Sequence, residues 1–172
     1  MEFRILGPLE VEKDGRQVPL GGEKQKALLA LLVLSRGRPV STDRLIDEVW
    51  GGRPPATAVK SVQVYVTRLR RALGEGRIIT RSRGYELAVA PSELDVDRFD
   101  ALVRAASGAP AKEAAERLRE ALALFRDRPL ADLSLEPWAQ VEIAGLEERQ
   151  LAALEARIDA DLELGRHREL IA

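Results

Sequence analysis

Between Thr57 and Leu73 two stripes follow the chain in the rhythm of an α-helix. Val59, Val62, Val66, Leu69 and Leu73 recur at three- and four-residue steps, which aligns them on one apolar face turned to a core. Lys60, Val64, Thr67 and Arg71 recur at the same steps on the opposite side, with Arg68 and Arg70 flanking them. The pattern predicts a helix with one face for its own domain and one for a partner. Thr57 is placed to cap its start, Pro55 lies just outside, and Gly74 and Gly76 end it.

Shorter patterns surround that helix. Phe3 to Leu6, Leu9 to Lys13 and Gln17 to Leu20 alternate as strands, and Asp14-Gly15 is a favoured hairpin turn, so an antiparallel meander is expected. From Glu23 to Leu34 the chain is apolar almost all round beyond Ala27, as an enclosed helix should be. Ser41 is a candidate cap for a helix that turns Leu45, Ile46, Val49 and Trp50 inward and stops at Gly51-Gly52. Arg77 to Arg81 and Tyr85 to Val89 read as two strands closed by Ser82-Arg83-Gly84. Two helices joined by a short Gly/Pro turn, the second basic, make a helix-turn-helix, and a basic hairpin behind it makes a wing able to reach phosphates.

Beyond an exit loop at 91–96 the pattern becomes wholly helical. Asp95 or Asp97 is expected to cap a helix through Ser107, and Pro110 opens another carrying Ala114, Leu118, Ala121, Leu122 and Phe125. After a loop from Asp127 to Leu135, a long helix is expected from Glu136 or Pro137 to Leu164, its apolar members being Trp138, Val141, Leu146, Leu151, Leu154, Ile158 and Leu162. Gly165 ends it, and His167 to Ala172 begin a further helix. Helix pairs rich in alanine and leucine point to a tetratricopeptide-like fold, although the units lack a full repeat consensus. The expected fold is therefore an α+β winged helix over 1–90, followed by an all-α tetratricopeptide-like domain over 91–172.

Charge divides at the same boundary. Net charge is −1 over 172 residues, yet residues 1–90 hold sixteen Lys and Arg against ten Asp and Glu, whereas residues 91–172 hold eleven against eighteen. A basic half suits a polyanion, and its excess crowds into Arg68, Arg70, Arg71, Arg77, Arg81 and Arg83. Val64 is an odd member of a solvated stripe. A thymine methyl in a major groove would contact it well, although single exposed apolar residues are also common.

The remaining chemistry is sparse. The chain has no cysteine and one histidine, His167, so neither a disulfide, a thiolate metal site nor a histidine relay is expected. Asp159, Asp161 and Glu163 stand two apart on a helix and do not face one another. Gly21-Gly22-Glu23-Lys24 lacks the ending of a phosphate loop. The expectation is a non-enzyme without catalytic residues, metal or cofactor. With no apolar run of membrane-spanning length and no secretory signal, it is expected to be cytoplasmic.

At this point the residues resemble a family. Meander, three helices and hairpin resemble the OmpR-type winged-helix DNA-binding domain. More narrowly, Leu6-Gly7-Pro8-Leu9-Glu10-Val11, the run Gly21 to Leu32, the stretch Ser41 to Gly51, Val62 to Gly74, Leu94-Asp95-Val96-Asp97-Arg98-Phe99 and Ala121 to Phe125 resemble the SARP family, activators of antibiotic-pathway genes in actinobacteria. The resemblance runs along essentially the whole chain. It implies that the acidic half is a bacterial transcriptional activation domain, and that the chain continues in family proteins past Ala172.

Lys60, Gln63, Val64, Tyr65, Thr67, Arg68, Arg70 and Arg71 on the basic helix, with Arg81 and Arg83 on the wing, are the DNA-binding candidates. By resemblance Val64 and Arg68 meet bases and Arg83 is the wing arginine. Thr67 stands where many OmpR-type relatives carry a basic residue, and the wing lacks the proline pair common in the family. The family further implies double-stranded DNA with direct repeats near promoters, RNA polymerase including its sigma subunit, and a homodimer on DNA as partners. The connector residues Gly52, Arg53, Pro54 and Pro55 are the candidates for touching polymerase. A contrasting reading makes the chain a helical protein-interaction adaptor with accessory DNA binding.

Overall fold

The computed structural model describes residues 1–166. An N-terminal meander, β1 (Glu2–Arg4), β2 (Glu10–Lys13) and β3 (Arg16–Gln17), is followed by α1 (Glu23–Leu34), the short strand β4 (Val40–Ser41), α2 (Thr42–Trp50) and α3 (Ala58–Leu73). The hairpin β5 (Ile78–Arg81) and β6 (Gly84–Leu87) completes the α+β half. The second half is α4 (Asp95–Ala106), α5 (Ala111–Leu122) and α6 (Pro137–Glu163), packed in series. The helix expected from His167 lies outside the described residues.

Local signals explain much of the first half. Asp14 and Gly15, at φ 51° and 75°, make the tight turn that joins β2 to β3. α1 is buried from Ala27 to Val33 on every side, because α2, α3 and the wing surround it. Ser41 caps α2, its Oγ accepting from the Arg44 N–H at 3.1 Å, and Gly51 closes the helix in the left-handed region.

β1 and β2 leave out Ile5, Leu6 and Leu9, expected within them, because tertiary partners take the backbone groups of those residues. The N–H groups of Ile5 and Leu6 donate to Asp95 Oδ2 at 2.8 and 2.9 Å, and the Leu9 N–H donates to Asp132 at 2.8 Å. The carbonyls of Ile5 and Leu6 accept from the Leu130 and Arg126 N–H groups. Asp95 and Asp97 accordingly do not cap α4 with their side chains; the N-cap position is Leu94. Asp95, 2% exposed, reaches across the boundary expected at residue 90. One continuous apolar core runs from Phe3 through both halves to Ala160.

The long helix α6 departs from its expected apolar face. Ala139, Ile143, Leu146, Ala153 and Ala160 are buried, whereas Val141, Leu151 and Leu162 are exposed and Trp138, Leu154 and Ile158 are half-buried. Three of these five buried positions are alanines, whose small side chains let a neighbouring helix approach closely. Among the described residues no helix is long and apolar enough to cross a membrane.

Candidate nucleic-acid interface

α3 is anchored by Ala58, Val62, Val66, Leu69 and Leu73, all buried. Ala58 takes the place expected for Val59, which is 52% exposed. Four-residue steps at the start of the helix keep 58, 62 and 66 on the inner face and turn 59 outward. Burial of each of the larger anchors contributes about 1.5–3 kcal/mol, so the helix is rigidly held from behind. Thr57 occupies the N-cap position, but its side chain makes no capping bond.

Lys60, Gln63, Val64, Thr67, Arg68 and Arg71 form the exposed face of α3. Among the described residues Lys60, Arg68 and Arg71 have no carboxylate partner, leaving their charge to act outward. Arg70 and Arg71 lie in the last turn, where positive charge complements the helix dipole. The Thr67 hydroxyl donates to the Gln63 carbonyl at 2.8 Å, within the helix. Val64 is 39% exposed, in the middle of this polar face.

Two expected contact residues point elsewhere. The Tyr65 ring is half-buried and stacks on Trp50, with centroids 6.2 Å apart and planes 12° apart. Lys24 sits over the other ring of that pair, its Nζ 5.4 Å from the Trp50 centroid and donating to the Val49 carbonyl. Arg70 is half-buried and donates from Nε to the Ile78 carbonyl and from a terminal nitrogen to Thr80 Oγ1, each at 2.8 Å.

The wing is a three-stranded sheet in the order β4-β6-β5. β4 was not expected, because two residues become a strand only when β6, remote in sequence, lies beside them: Val40 pairs with Tyr85 and Ser41 with Gly84. Gly84 is required by that approach, since a Cβ there would stand 1.9 Å from the Val40 carbonyl oxygen. At the tip Arg83 is exposed and, among the described residues, without a carboxylate partner. Arg81 donates from Nε to Glu86 at 2.7 Å, and this bond holds the Glu86 carboxyl below the usual range. The bond orients the guanidinium and leaves its terminal nitrogens for other acceptors.

The connector between α2 and α3 exposes Gly52, Arg53, Pro54 and Pro55, held at its start by the bond from Arg53 N–H to the Trp50 carbonyl. No cluster of three or more metal-ligating side chains occurs among the described residues.

The exposed cationic face of α3 and the cationic hairpin thus lie in an α+β unit that is followed by a helical unit, and known proteins match both units. Residues 15–87 match the model described as transcriptional regulatory protein, C terminal, and residues 94–172 the bacterial transcriptional activator domain. The chain is 35% identical to the regulatory protein DnrI of Streptomyces peucetius, over 99% of this chain and 68% of that protein. It belongs to the SARP family of transcriptional regulators.

It is also 37% identical to the regulatory protein AfsR of Streptomyces coelicolor, over the whole of this chain and 18% of that protein. The structure of Mycobacterium tuberculosis EmbR in complex with a low affinity phosphopeptide superposes with a TM-score of 0.94 at 34% identity, over 99% of this chain and 48% of that one. Sequence periodicity in this SARP chain pointed to the exposed stripe but missed Val59, Gly84 and the Trp50–Tyr65–Lys24 stack. Only the one-residue shift to Ala58 in the helical spacing could have moved Val59 outward. The other two depend on remote contacts.

Proposed function

We propose that this chain is a sequence-specific, double-stranded-DNA-binding transcription activator. The observation that carries the proposal is the set Lys60, Arg68, Arg71 and Arg83, exposed on α3 and the wing and, among the described residues, without carboxylate partners. α3 enters a major groove. Arg68 reads a base edge, where a bidentate guanidinium suits guanine, and Val64 meets a thymine methyl. Lys60, Arg71, Arg81 and Arg83 hold phosphates, with Gln63 and Thr67 adding polar contacts between them.

The family supports finer assignments. The chain acts on direct repeats near promoters of an antibiotic-type biosynthetic pathway, with copies placed head to tail, and recruits RNA polymerase through its sigma subunit at Gly52 to Pro55. A second reading, a protein-interaction adaptor, draws support from the exposed Val141 and Leu151 on α6.

Selection of bound duplexes from a random DNA pool, followed by titration at several salt concentrations, tests the main proposal. Log K is expected to fall against log salt with a slope of about −0.9 per phosphate contact. Arg68→Ala is expected to cost about 1–3 kcal/mol and relax base preference, whereas Arg71→Ala weakens all sequences alike. Salt-insensitive binding would reject the groove model. Protein partners captured without any retained duplex would favour the adaptor.

A further inference from the structure

We infer that Arg70 is a positioning residue, which sets the wing against the recognition helix and does not itself bind DNA. The inference rests on the DNA-binding proposal and deepens it. Sequence spacing alone places Arg70 beside the outward stripe, one more cation in a row of them. Its guanidinium is already committed in the free protein, to the Ile78 carbonyl and the Thr80 hydroxyl.

Those acceptors lie two residues apart on β5, the edge strand of the wing sheet. An edge strand has backbone groups without a strand partner, and the planar fork of an arginine can engage two acceptors along such an edge at once. Arg70 therefore ties the last turn of α3 to the root of the wing. Arg81 follows Thr80 directly, and Arg83 lies two residues further on.

The opposite edge is held as well. β4 pairs with β6, the Thr42 N–H donates to the Arg83 carbonyl at 2.9 Å, and Gly84 is pressed against Val40 and Ser41. The wing is thus fixed between the first residue of α2 and the last turn of α3. That setting fixes the span between the α3 face and Arg83, the distance that must match the separation of neighbouring phosphate contacts. Small errors in such a span weaken every contact beyond the hinge.

The test is a double-mutant cycle on the 172-residue chain, using the tightest duplex selected from a random pool. Arg70→Ala is expected to weaken binding about tenfold alone, and by less than about twofold in an Arg83→Ala background, as coupled positions behave. Phosphate interference should show loss of the wing contacts with the α3 contacts retained. Arg70→Lys keeps the charge but lacks the planar fork whose separate nitrogens meet the two acceptors, so it should not fully restore affinity, and Thr80→Val should reproduce part of the loss. The last two variants also decide the matter if Arg70→Ala does not fold.

Equal losses in both backgrounds, full rescue by lysine, or a lost interference signal at an α3 phosphate would make Arg70 a direct DNA ligand and overturn the inference alone. Failure of the unsubstituted chain to retain any duplex would reject the DNA-binding proposal, and this inference with it.

Discussion

Arg68, Arg71 and Arg83 face outward and, among the described residues, have no carboxylate partners, while Arg70, Arg77 and Arg81 are engaged by acceptors of their own chain. Residue type and spacing present all six as one basic cluster; contacts divide them. Arg77 illustrates the difference, donating from both terminal nitrogens to the Glu93 carboxylate at 2.7 Å and to the Ala88 carbonyl. The Arg77 hydrogen bonds lead the effects that hold Glu93 at about 2, from an ordinary 4.5, against the opposing cost of its burial. A depressed carboxylate contributes stability above its unfolded value and loses it as pH falls through the folded value. Glu93→Gln is therefore expected to lower stability by about 1 kcal/mol at pH 7, the scale of a well-formed surface pair. Thermal melts should show that gap closing as the pH is lowered from about 4.5 towards 2. A gap of equal size at both ends would show that the charge on Glu93 is not what stabilises the fold.

Helices were the most legible elements. α1 spans Glu23–Leu34 as its apolar run predicts, α2 begins at the Ser41 cap, and α3 follows its inner stripe to Gly74. Each is specified by residues within a few turns of one another. Strands were less legible, because their hydrogen-bond partners lie elsewhere: β1 ends where Asp95 takes its N–H groups, and β4 exists only beside β6. The α2–α3 connector belongs at this scale too. It projects four exposed residues between a capped helix end and the Trp50–Tyr65 stack, the position on which the proposed polymerase contact rests. In run-off transcription from a selected fragment, Arg53→Ala is expected to reduce transcript several-fold at unchanged DNA affinity. Undiminished transcript would remove the connector from the polymerase contact.

The two halves share a junction more intimate than a linker. Asp95 accepts from Ile5, Leu6 and, through its other oxygen, Val96, while Asp132 accepts from Leu9 and pairs with Lys26 at 2.9 Å. Arg126 adds an ion pair with Glu10 and a bond to the Pro8 carbonyl. Burial pushes the Asp95 carboxyl up, against the downward pull of its three N–H donors and the Arg126 charge. Asp95→Ala would leave those donors buried without an acceptor, at a cost of about 3 kcal/mol. Urea denaturation should show this as a lower midpoint for the whole chain; a change below about 0.5 kcal/mol would mean that water replaces the carboxylate at no loss.

The sequence by itself determined the helices of the first half, the Ser41 cap, the basic outward stripe of α3 and the contrast between a basic and an acidic half, because each depends on near neighbours and on side-chain type. Only the tertiary structure decided which arginines remain available, that Tyr65 stacks on Trp50, that β4 joins the wing and that the halves meet through Asp95. Those outcomes depend on groups brought together from far along the chain: an ion pair or a buried N–H is settled by the atom that arrives beside it, and local periodicity carries no record of that arrival.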